Sequence, residues 1–320
     1  MVGLSPDVLS RYPRFSLYNS PYVAHDEGCA IDLYPGSAGR PPGSRAGSEA
    51  TRETSAPSPV AGEVVAVRSV TAPPKPYAVA RDHLIVVDTG EYLVRMLHVE
   101  PNVEPGDRIE VGDSLGELVR SGFFAPWVSN HIHLGFRERD ANPMRASGSL
   151  PIEVPVDIEP LAWDGSGRVV ATAETFVVLD SPIHPAPGER FAGIAGVMGD
   201  ELVVLDSPIH PAPGERFAGI AGVMGDELVV LDGGLPHYEG GGALSAGSSR
   251  SPDGDCVSLV DSSIGVVDGR TVTWDDVTVR ANERPITGLS LFVSREQFGA
   301  KLVCPGHEFR VGNSISVSIR

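Results

Sequence analysis

Residues 83–99 of this 320-residue chain read HLIVVDTGEYLVRMLHV, and this stretch is the clearest guide to the fold. Two runs rich in Val, Leu and Ile stand on either side of Asp88-Thr89-Gly90, a pattern typical of two strands joined by a tight turn. Similar short runs surround it, namely VAGEVVAV at 60–67, DRIEVGD at 107–113 and HIHLGFRER at 131–139. They predict an all-β protein whose first half is an antiparallel β-sandwich or half-barrel.

Charge and composition narrow the classes of function. The chain has 25 basic and 42 acidic residues, a net charge of -17, which argues against nucleic acid or an anionic membrane as partner. Only Lys75 and Lys301 are lysines. An acidic, lysine-poor surface predicts a halophilic protein, because salt screens its self-repulsion. The alternative explanation for the lysine deficit is a GC-rich genome in which Arg is preferred to Lys.

The cellular setting is predicted from what the sequence shows of cysteines and apolar runs. Cys29, Cys256 and Cys304 are widely spaced, without a CxxC pair, and are expected to be reduced thiols. The opening MVGLSPDVLSRYPRF does not resemble a signal peptide, and no run approaches the length of a membrane span. We therefore expect a cytoplasmic protein; the oligomeric state is left open.

The distribution of Gly, Pro and Ser predicts the domain organisation. The sequence 177–202, VVLDSPIHPAPGERFAGIAGVMGDEL, recurs without change at 203–228, and His184 and His210 in these copies are expected to be surface loop residues. The predicted parts are a domain at 1–160 with a flexible insertion at 36–59, a β-rich segment at 161–232 that contains the tandem repeat, a Gly/Ser-rich linker at 233–250 and a small β-rich C-terminal module at 251–320.

Two stretches in the first half carry candidate metal ligands. In HIHLGFR, His131 and His133 are two apart on a predicted strand, so their side chains share one face. In HDEGCAIDL, His25 and Asp32 can converge only if the chain turns at Asp26–Gly28 before it extends again. Two imidazoles, a carboxylate and a water form the open zinc site of hydrolases. The alternative is an ordinary histidine pair on a strand and a polar loop.

These stretches also carry a family resemblance. HDEGCAIDL resembles the metal-binding motif of D-Ala-D-Ala dipeptidases and carboxypeptidases. The sequences that follow resemble the lysostaphin-type (LytM-like) metallopeptidases, in the order SPVAGEVVAV at 58–67, YLVRMLHVEP at 92–101, VEPGDRIEVGDSLGELVRSG at 103–122 and NHIHLGFR at 130–137. Several motifs in the right order are more specific than any one of them.

The resemblance implies a role for each candidate residue. His25, Asp32 and His133 would bind Zn2+, His131 would act as general base or proton shuttle, and His98 would be a second catalytic imidazole. The implied activity is zinc-dependent hydrolysis of a peptide-like bond by a metal-activated water.

Two other interpretations of the sequence compete with that of an enzyme. The first is a non-catalytic, metal-containing β domain that acts as a binding or scaffold module. The second is a biotinyl or lipoyl carrier, suggested by the hairpin at 103–117, but a carrier needs a hairpin lysine and the chain has none between Pro76 and Ala300. His83, at the start of a strand, is expected to be a rim residue rather than a ligand.

Overall fold

The computed structural model describes residues 2–36, 55–183, 195–198, 201–204, 216–244, 254–295 and 299–320. Nearly every element in them is a β-strand, so the predicted all-β class is confirmed. The elements of the first half are β1 Val2–Gly3, α1 Pro6–Leu9, β2 Arg14–Ser16, α2 Val23–Asp26, β3 Ile31–Tyr34, β4 Ser55–Pro57, β5 Gly62–Thr71, β6 Arg81–Asp88, β7 Tyr92–Leu97, β8 Val99–Pro101, β9 Arg108–Ile109, β10 Ser114–Leu118, β11 Ile132–Glu138 and β12 Ile152–Glu153.

The second half contains only strands among its described residues. They are β13 Ile158–Leu161, β14 Ser166–Ala173, β15 Phe176–Leu179, β16 Ala195–Met198, β17 Glu201–Val204, β18 Phe217–Met224, β19 Glu227–Leu235, β20 Gly240–Leu244, β21 Cys256–Leu259, β22 Ser262–Asp268, β23 Thr271–Trp274, β24 Val279–Ala281, β25 Arg284–Pro285, β26 Gly288–Leu291, β27 Val293–Ser294, β28 Lys301–Val303 and β29 Ser314–Ile319.

The first half is an antiparallel sandwich, as the sequence predicts. Its main sheet has the strand order β9-β5-β6-β7-β11-β3-β2. A smaller sheet, β4-β10-β8, lies against it. Side chains of both sheets share one buried cluster that includes Ile85, Val94 and Met96 from the main sheet and Val99 and Leu115 from the smaller one. Burying one apolar face of each sheet in this way holds the sandwich together.

The predicted hairpin at 83–99 forms β6 and β7. Asp88 accepts a hydrogen bond at 2.8 Å from the backbone N–H of Gly90, and the N–H of Thr89 donates to the carbonyl of Tyr92. Gly90 has φ of 89°, a conformation that favours glycine. The tight turn therefore sets the pairing of Leu84 with Leu97, which places His98 directly beyond the end of β7.

The second half is built around a closed barrel of six strands, in the order β18-β19-β20-β23-β22-β21 and back to β18. The barrel thus combines 217–235 with 256–274, which the sequence analysis assigned to different parts of the chain. A second buried cluster fills it.

The structure contradicts the flexible linker predicted at 233–250. Its residues 233–235 end β19 and 240–244 form β20, both buried; residues 245–250 lie outside the described part. Glycine is needed here for close packing, since a Cβ on Gly241 would fall 2.0 Å from the Trp274 ring and one on Gly242 would fall 2.2 Å from the Tyr18 ring. The glycines that suggest flexibility in the sequence therefore allow rings to pack on the strand.

The two identical copies form hairpins with identical registers. In β16–β17 Ala195 pairs with Val204, and in β18–β19 Ala221 pairs with Val230. Only the second hairpin is part of the barrel, and β16 and β17 make a two-stranded sheet of their own. His184 and His210 lie outside the described residues, as do residues 37–54 of the predicted insertion, whose residues 55–57 form β4.

The two halves share hydrogen-bonded strands. β2 pairs with β3 on one side and with β27 on the other, and β27 in turn pairs with β18 of the barrel. The main sheet therefore continues from the first half into the second. None of the helices in the described residues is long and apolar enough to cross a membrane.

Candidate metal centre

A tight reversal of the chain brings His25 towards Asp32. His25 lies in α2, Gly28 follows with φ of 62°, and β3 then carries Asp32. Gly28 has no room for a side chain, because a Cβ there would fall 2.7 Å from the hydroxyl of Tyr18. This is the turn that the odd spacing of the two residues requires.

Strand pairing brings the third residue to the same place. His133 on β11 pairs directly with Asp32 on β3 and, on its other side, with Leu97 on β7. Directly paired residues of antiparallel strands project to the same face of a sheet, about 5 Å apart. The register therefore sets the imidazole of His133 beside the carboxylate of Asp32.

Three ligand-type atoms meet at this point. His25 Nε2 lies 3.0 Å from His133 Nδ1 and 3.3 Å from Asp32 Oδ1, and His133 Nδ1 lies 3.0 Å from the same Oδ1. His25 is 0% exposed and Asp32 2%. The three could hold a metal ion.

Hydrogen bonds outside the cluster decide which ring nitrogens face it. His25 Nδ1 lies 2.6 Å from the carbonyl oxygen of Leu17, so this nitrogen carries the hydrogen and donates it. When the ring is neutral, the lone pair of Nε2 is directed at Asp32 and His133. Fixing a metal-binding histidine through its other nitrogen is the usual arrangement around metal sites.

The charges of the cluster suit a cation. Burial acts to raise the pKa of Asp32, but the rings of His131 and His25 hold it well below its usual range. Burial lowers the pKa of His133 to about 4, which leaves its imidazole neutral. For His25, burial acts to lower the pKa, but Asp32 and the Leu17 carbonyl outweigh it and raise the pKa. An ionised carboxylate beside the neutral ring of His133 suits metal binding, which would also displace the proton that the raised pKa favours on His25, so the residues could hold a metal ion.

His131 stands on the opposite side of the same carboxylate. Its Nε2 lies 3.4 Å from Asp32 Oδ2, and its Nδ1–H donates to the carbonyl of Ser129 at 2.8 Å. Burial lowers the pKa of His131 to about 3. The ring is therefore neutral, with the Nε2 lone pair facing the site.

His98 is held by a carboxylate that the sequence analysis missed. Its Nδ1 donates to Asp82 Oδ2 at 2.5 Å, and its backbone N–H donates to Asp82 Oδ1 at 2.9 Å. Ser121 Oγ also donates to Asp82. Although burial acts to raise the pKa of Asp82, the hydrogen bond from His98 and the other donors lower it to about 2.

The ring of His98 faces the other histidines. Its centroid lies 5.0 Å from that of His131 and 5.8 Å from that of His133. His98 has φ of 71°, a left-handed conformation that is uncommon for a residue other than glycine and that recurs at functional sites. His83, in contrast, pairs with Glu100 at 3.0 Å and is not among the residues that line the pocket beside the metal cluster.

A pocket of about 740 Å³ opens onto the cluster. Asp32, His133, His131 and His98 lie in its wall. Apolar side chains form much of the rest, and Tyr238 contributes from the second half. The full lining also includes Arg95, which the sequence analysis did not single out, and Leu84, Leu97, Phe123, Phe124, Val128, Ser147 and Ser149.

The site defines a β protein with a buried two-histidine, one-carboxylate cluster at the base of a pocket. The chain belongs to the family described as domain of unknown function DUF8155, whose N-terminal domain matches residues 3–154 and whose C-terminal domain matches 159–202 and 197–320. The second match is interrupted, and overlaps itself, within the duplicated segment.

Two solved structures resemble parts of the chain. One is described as cbpa from L. salivarius REN, with 20% identity, a TM-score of 0.21 and coverage of 32% of this chain and 65% of that one. The other is the catalytic domain of the antimicrobial peptidase lysostaphin from Staphylococcus simulans, with 16% identity, a TM-score of 0.27 and coverage of 46% of this chain and 93% of that one. No curated protein sequence matches.

Proposed function

We propose that this protein is a zinc-dependent hydrolase that acts on peptide-like amide bonds. One observation carries the proposal: His25 Nε2, His133 Nδ1 and Asp32 Oδ1 lie within 3.0–3.3 Å of one another at the wall of a substrate-sized pocket, beside two further imidazoles. A structural zinc site usually has four protein ligands, whereas a catalytic site has three and keeps one position open.

His25, Asp32 and His133 would hold the ion. When bound there, zinc supplies a water of lowered pKa and polarises the amide carbonyl. Leu17 contributes indirectly, because its carbonyl fixes the orientation of His25.

In this proposal His131 accepts the proton. Its Nδ1–H is already committed to Ser129, so the only nitrogen free to take a proton is Nε2, which faces the cluster. A neutral imidazole held in this way has its Nε2 lone pair available for general-base catalysis.

In this proposal His98 stabilises negative charge on the substrate oxygen. Asp82 holds the ring through Nδ1, and its carboxylate balances the positive charge when Nε2 also carries a proton. An oriented N–H donor directed at a developing oxyanion stabilises the transition state.

The test combines metal analysis with hydrolysis by the full chain in molar salt, which suits its acidic surface. We expect about one zinc per chain by atomic spectroscopy, and cleavage of short N-acyl peptides that stops when a chelator removes the metal and resumes when zinc is restored. Wild-type protein that holds no zinc would refute the proposal. Zinc without cleavage of any peptide would favour the non-catalytic binding module instead.

A further inference from the structure

Arg95 lies on the metal side of the main sheet. Residues two apart on a strand share a face, so Arg95 projects to the same side as Leu97. Leu97 pairs with His133, and Arg95 pairs with Gly135, the next residue on that face of β11. The Cα of Arg95 is therefore about 7 Å along the strand from the position that faces the metal ligand.

The guanidinium of Arg95 has no protein partner. Within the described part of the chain no hydrogen bond or ion pair reaches it, and its Nε is buried without an acceptor. The side chain as a whole is only partly buried, but a buried N–H donor without an acceptor, here Nε, is costly. The described residues therefore leave Nε without an acceptor, and a molecule in the pocket could bind the guanidinium.

The neighbouring arginine shows the contrast. Arg137, two residues beyond Gly135 on β11, donates to the backbone carbonyls of Arg145, Ala146 and Ser147. These bonds hold the loop that crosses above Gly135, where an added Cβ would lie 3.1 Å from Ser149 Oγ. Arg137 thus has a structural role, whereas Arg95 is left facing the pocket.

Arg95 is the only arginine or lysine among the described residues that line the pocket. Burial, and then the charge of Arg137, lower the pKa of Arg95 to about 10, so the side chain remains a cation at neutral pH. The other charged groups of the lining are the carboxylates of Glu27 and Asp32.

We propose that Arg95 binds a carboxylate of the molecule that occupies this pocket. The planar guanidinium fork matches a carboxylate, with two parallel hydrogen bonds. A phosphate, with its higher charge, would meet one cation and two carboxylates in the same lining.

This inference rests on the proposed function for its substrate class, peptides with a carboxylate near the bond that is cut. An extended peptide rises about 3.3 Å per residue, so the offset of about 7 Å between Cα positions corresponds to about two residues, and we expect the carboxylate within a few residues of the bond at the metal. It is either a free C-terminus or an acidic side chain, and the experiment separates the two.

The test measures binding by titration calorimetry on chelator-treated protein, so that neither zinc nor hydrolysis contributes. The probes are acetyl-glycyl-glycine, its C-terminal amide, and acetyl-glycyl-glutamic acid α-amide, whose only carboxylate is on the side chain. We expect one carboxylate probe to bind about tenfold more tightly than the neutral amide, the usual worth of a charged hydrogen bond. The tighter of the two identifies the source of the carboxylate.

Substitutions test whether the preference for a carboxylate probe depends on Arg95. Arg95→Gln should abolish it, Arg95→Lys should keep part of it, and Arg68→Gln, a charge-matched change at an exposed position of β5, should keep all of it. Equal binding of the three probes by wild type overturns the inference, even where Arg95→Gln does not fold. A preference that survives in folded Arg95→Gln overturns it as well.

The result for Arg95 can be distinguished from the result of the test of the proposed hydrolase function. Zinc-loaded wild type that cuts neutral and acidic peptides equally well overturns the role of Arg95 and leaves the hydrolase intact. A carboxylate preference in a chain that never binds zinc removes the hydrolase and supports Arg95 as a ligand-binding residue.

Discussion

Asp232, in the barrel half, accepts a hydrogen bond at 2.6 Å from the backbone N–H of Leu17, the residue whose carbonyl fixes His25. The same carboxylate accepts hydrogen bonds from Ser16 Oγ and the N–H of Tyr18. The barrel therefore positions one of the candidate metal ligands through two consecutive hydrogen bonds.

The protonation of Asp232 predicts a pH-dependent stability. Burial outweighs the hydrogen bonds and raises the pKa of Asp232 to about 6. An unfolded chain releases this proton near pH 4, so between about pH 4 and 6 the folded state binds more protons, and its stability falls as pH rises. Asp232→Asn removes this penalty. We expect its free energy of unfolding, relative to wild type, to increase by up to about 3 kcal/mol from pH 4 to pH 7.

The measurement is thermal unfolding of chelator-treated wild type and variant across that range. Asp180→Asn is the matched control, since Asp180 occupies the same place in the first VVLD sequence but is exposed. A difference between Asp232→Asn and wild type that stays constant with pH would contradict the prediction.

The two histidines of HIHLGFR should have separable roles. His133→Ala should lose zinc, because it removes one of three protein ligands. His131→Ala should keep about one zinc per chain while peptide hydrolysis falls about 10²–10⁴-fold, the usual contribution of a general base. Metal content and turnover are measured on the same samples, with His83→Ala as a control outside the pocket. If both variants bind zinc as wild type does, the ligand assignment is wrong.

The left-handed backbone of His98 predicts an unusual order of stabilities. Replacing a strand residue by glycine normally costs more than replacing it by alanine, by about 0.5–1 kcal/mol. At φ of 71° the order should reverse, with His98→Gly more stable than His98→Ala by about 1 kcal/mol. Both variants lose the ring, so the difference reports the backbone alone.

Urea unfolding of the two His98 variants measures this difference. His83→Gly and His83→Ala provide the comparison, because His83 lies within β6 and should follow the normal order. An alanine variant at position 98 that equals or exceeds the glycine variant in stability would show that the conformation there carries no strain.

The chain without residues 203–228 should keep the barrel. The remaining copy then supplies FAGIAGVM and ELVVLDGGL in an unbroken sequence, the residues that form β18 and β19. We expect a soluble protein whose zinc content matches that of the full chain and whose far-UV circular dichroism differs only by the loss of the separate β16–β17 hairpin. Aggregation, or loss of the cooperative unfolding transition, would mean that the barrel depends on both copies.

Local patterns predict part of this structure. The alternation of a strand places His131 and His133 together, and the odd spacing of His25 and Asp32 requires the turn that Gly28 makes. Both inferences depend on residues that are close in sequence. This is why each pair could be predicted from its own stretch, whereas the grouping of His25 and Asp32 with His133 followed only from the family resemblance.

Contacts between distant residues could not be predicted in this way. Asp82 reaches His98 and Ser121, and Asp232 reaches Ser16, only because the strands pair as they do. Arg95 stands out through a missing partner, which no local pattern records. The glycines of β20 suggest a linker in the sequence because their neighbours, the Trp274 and Tyr18 rings, lie far away along the chain.

The position of β2 between β3 and β27 also determines when each of its edges can be paired during synthesis. Its residue Arg14 pairs with Ser294, which is made much later. At about 5–20 residues per second, the ribosome needs roughly 15–60 s to make the intervening chain. Throughout that interval one edge of the nascent sheet has no neighbour, and an open edge invites pairing with other chains. Protection of that edge by a chaperone would therefore matter most until β27 has been made.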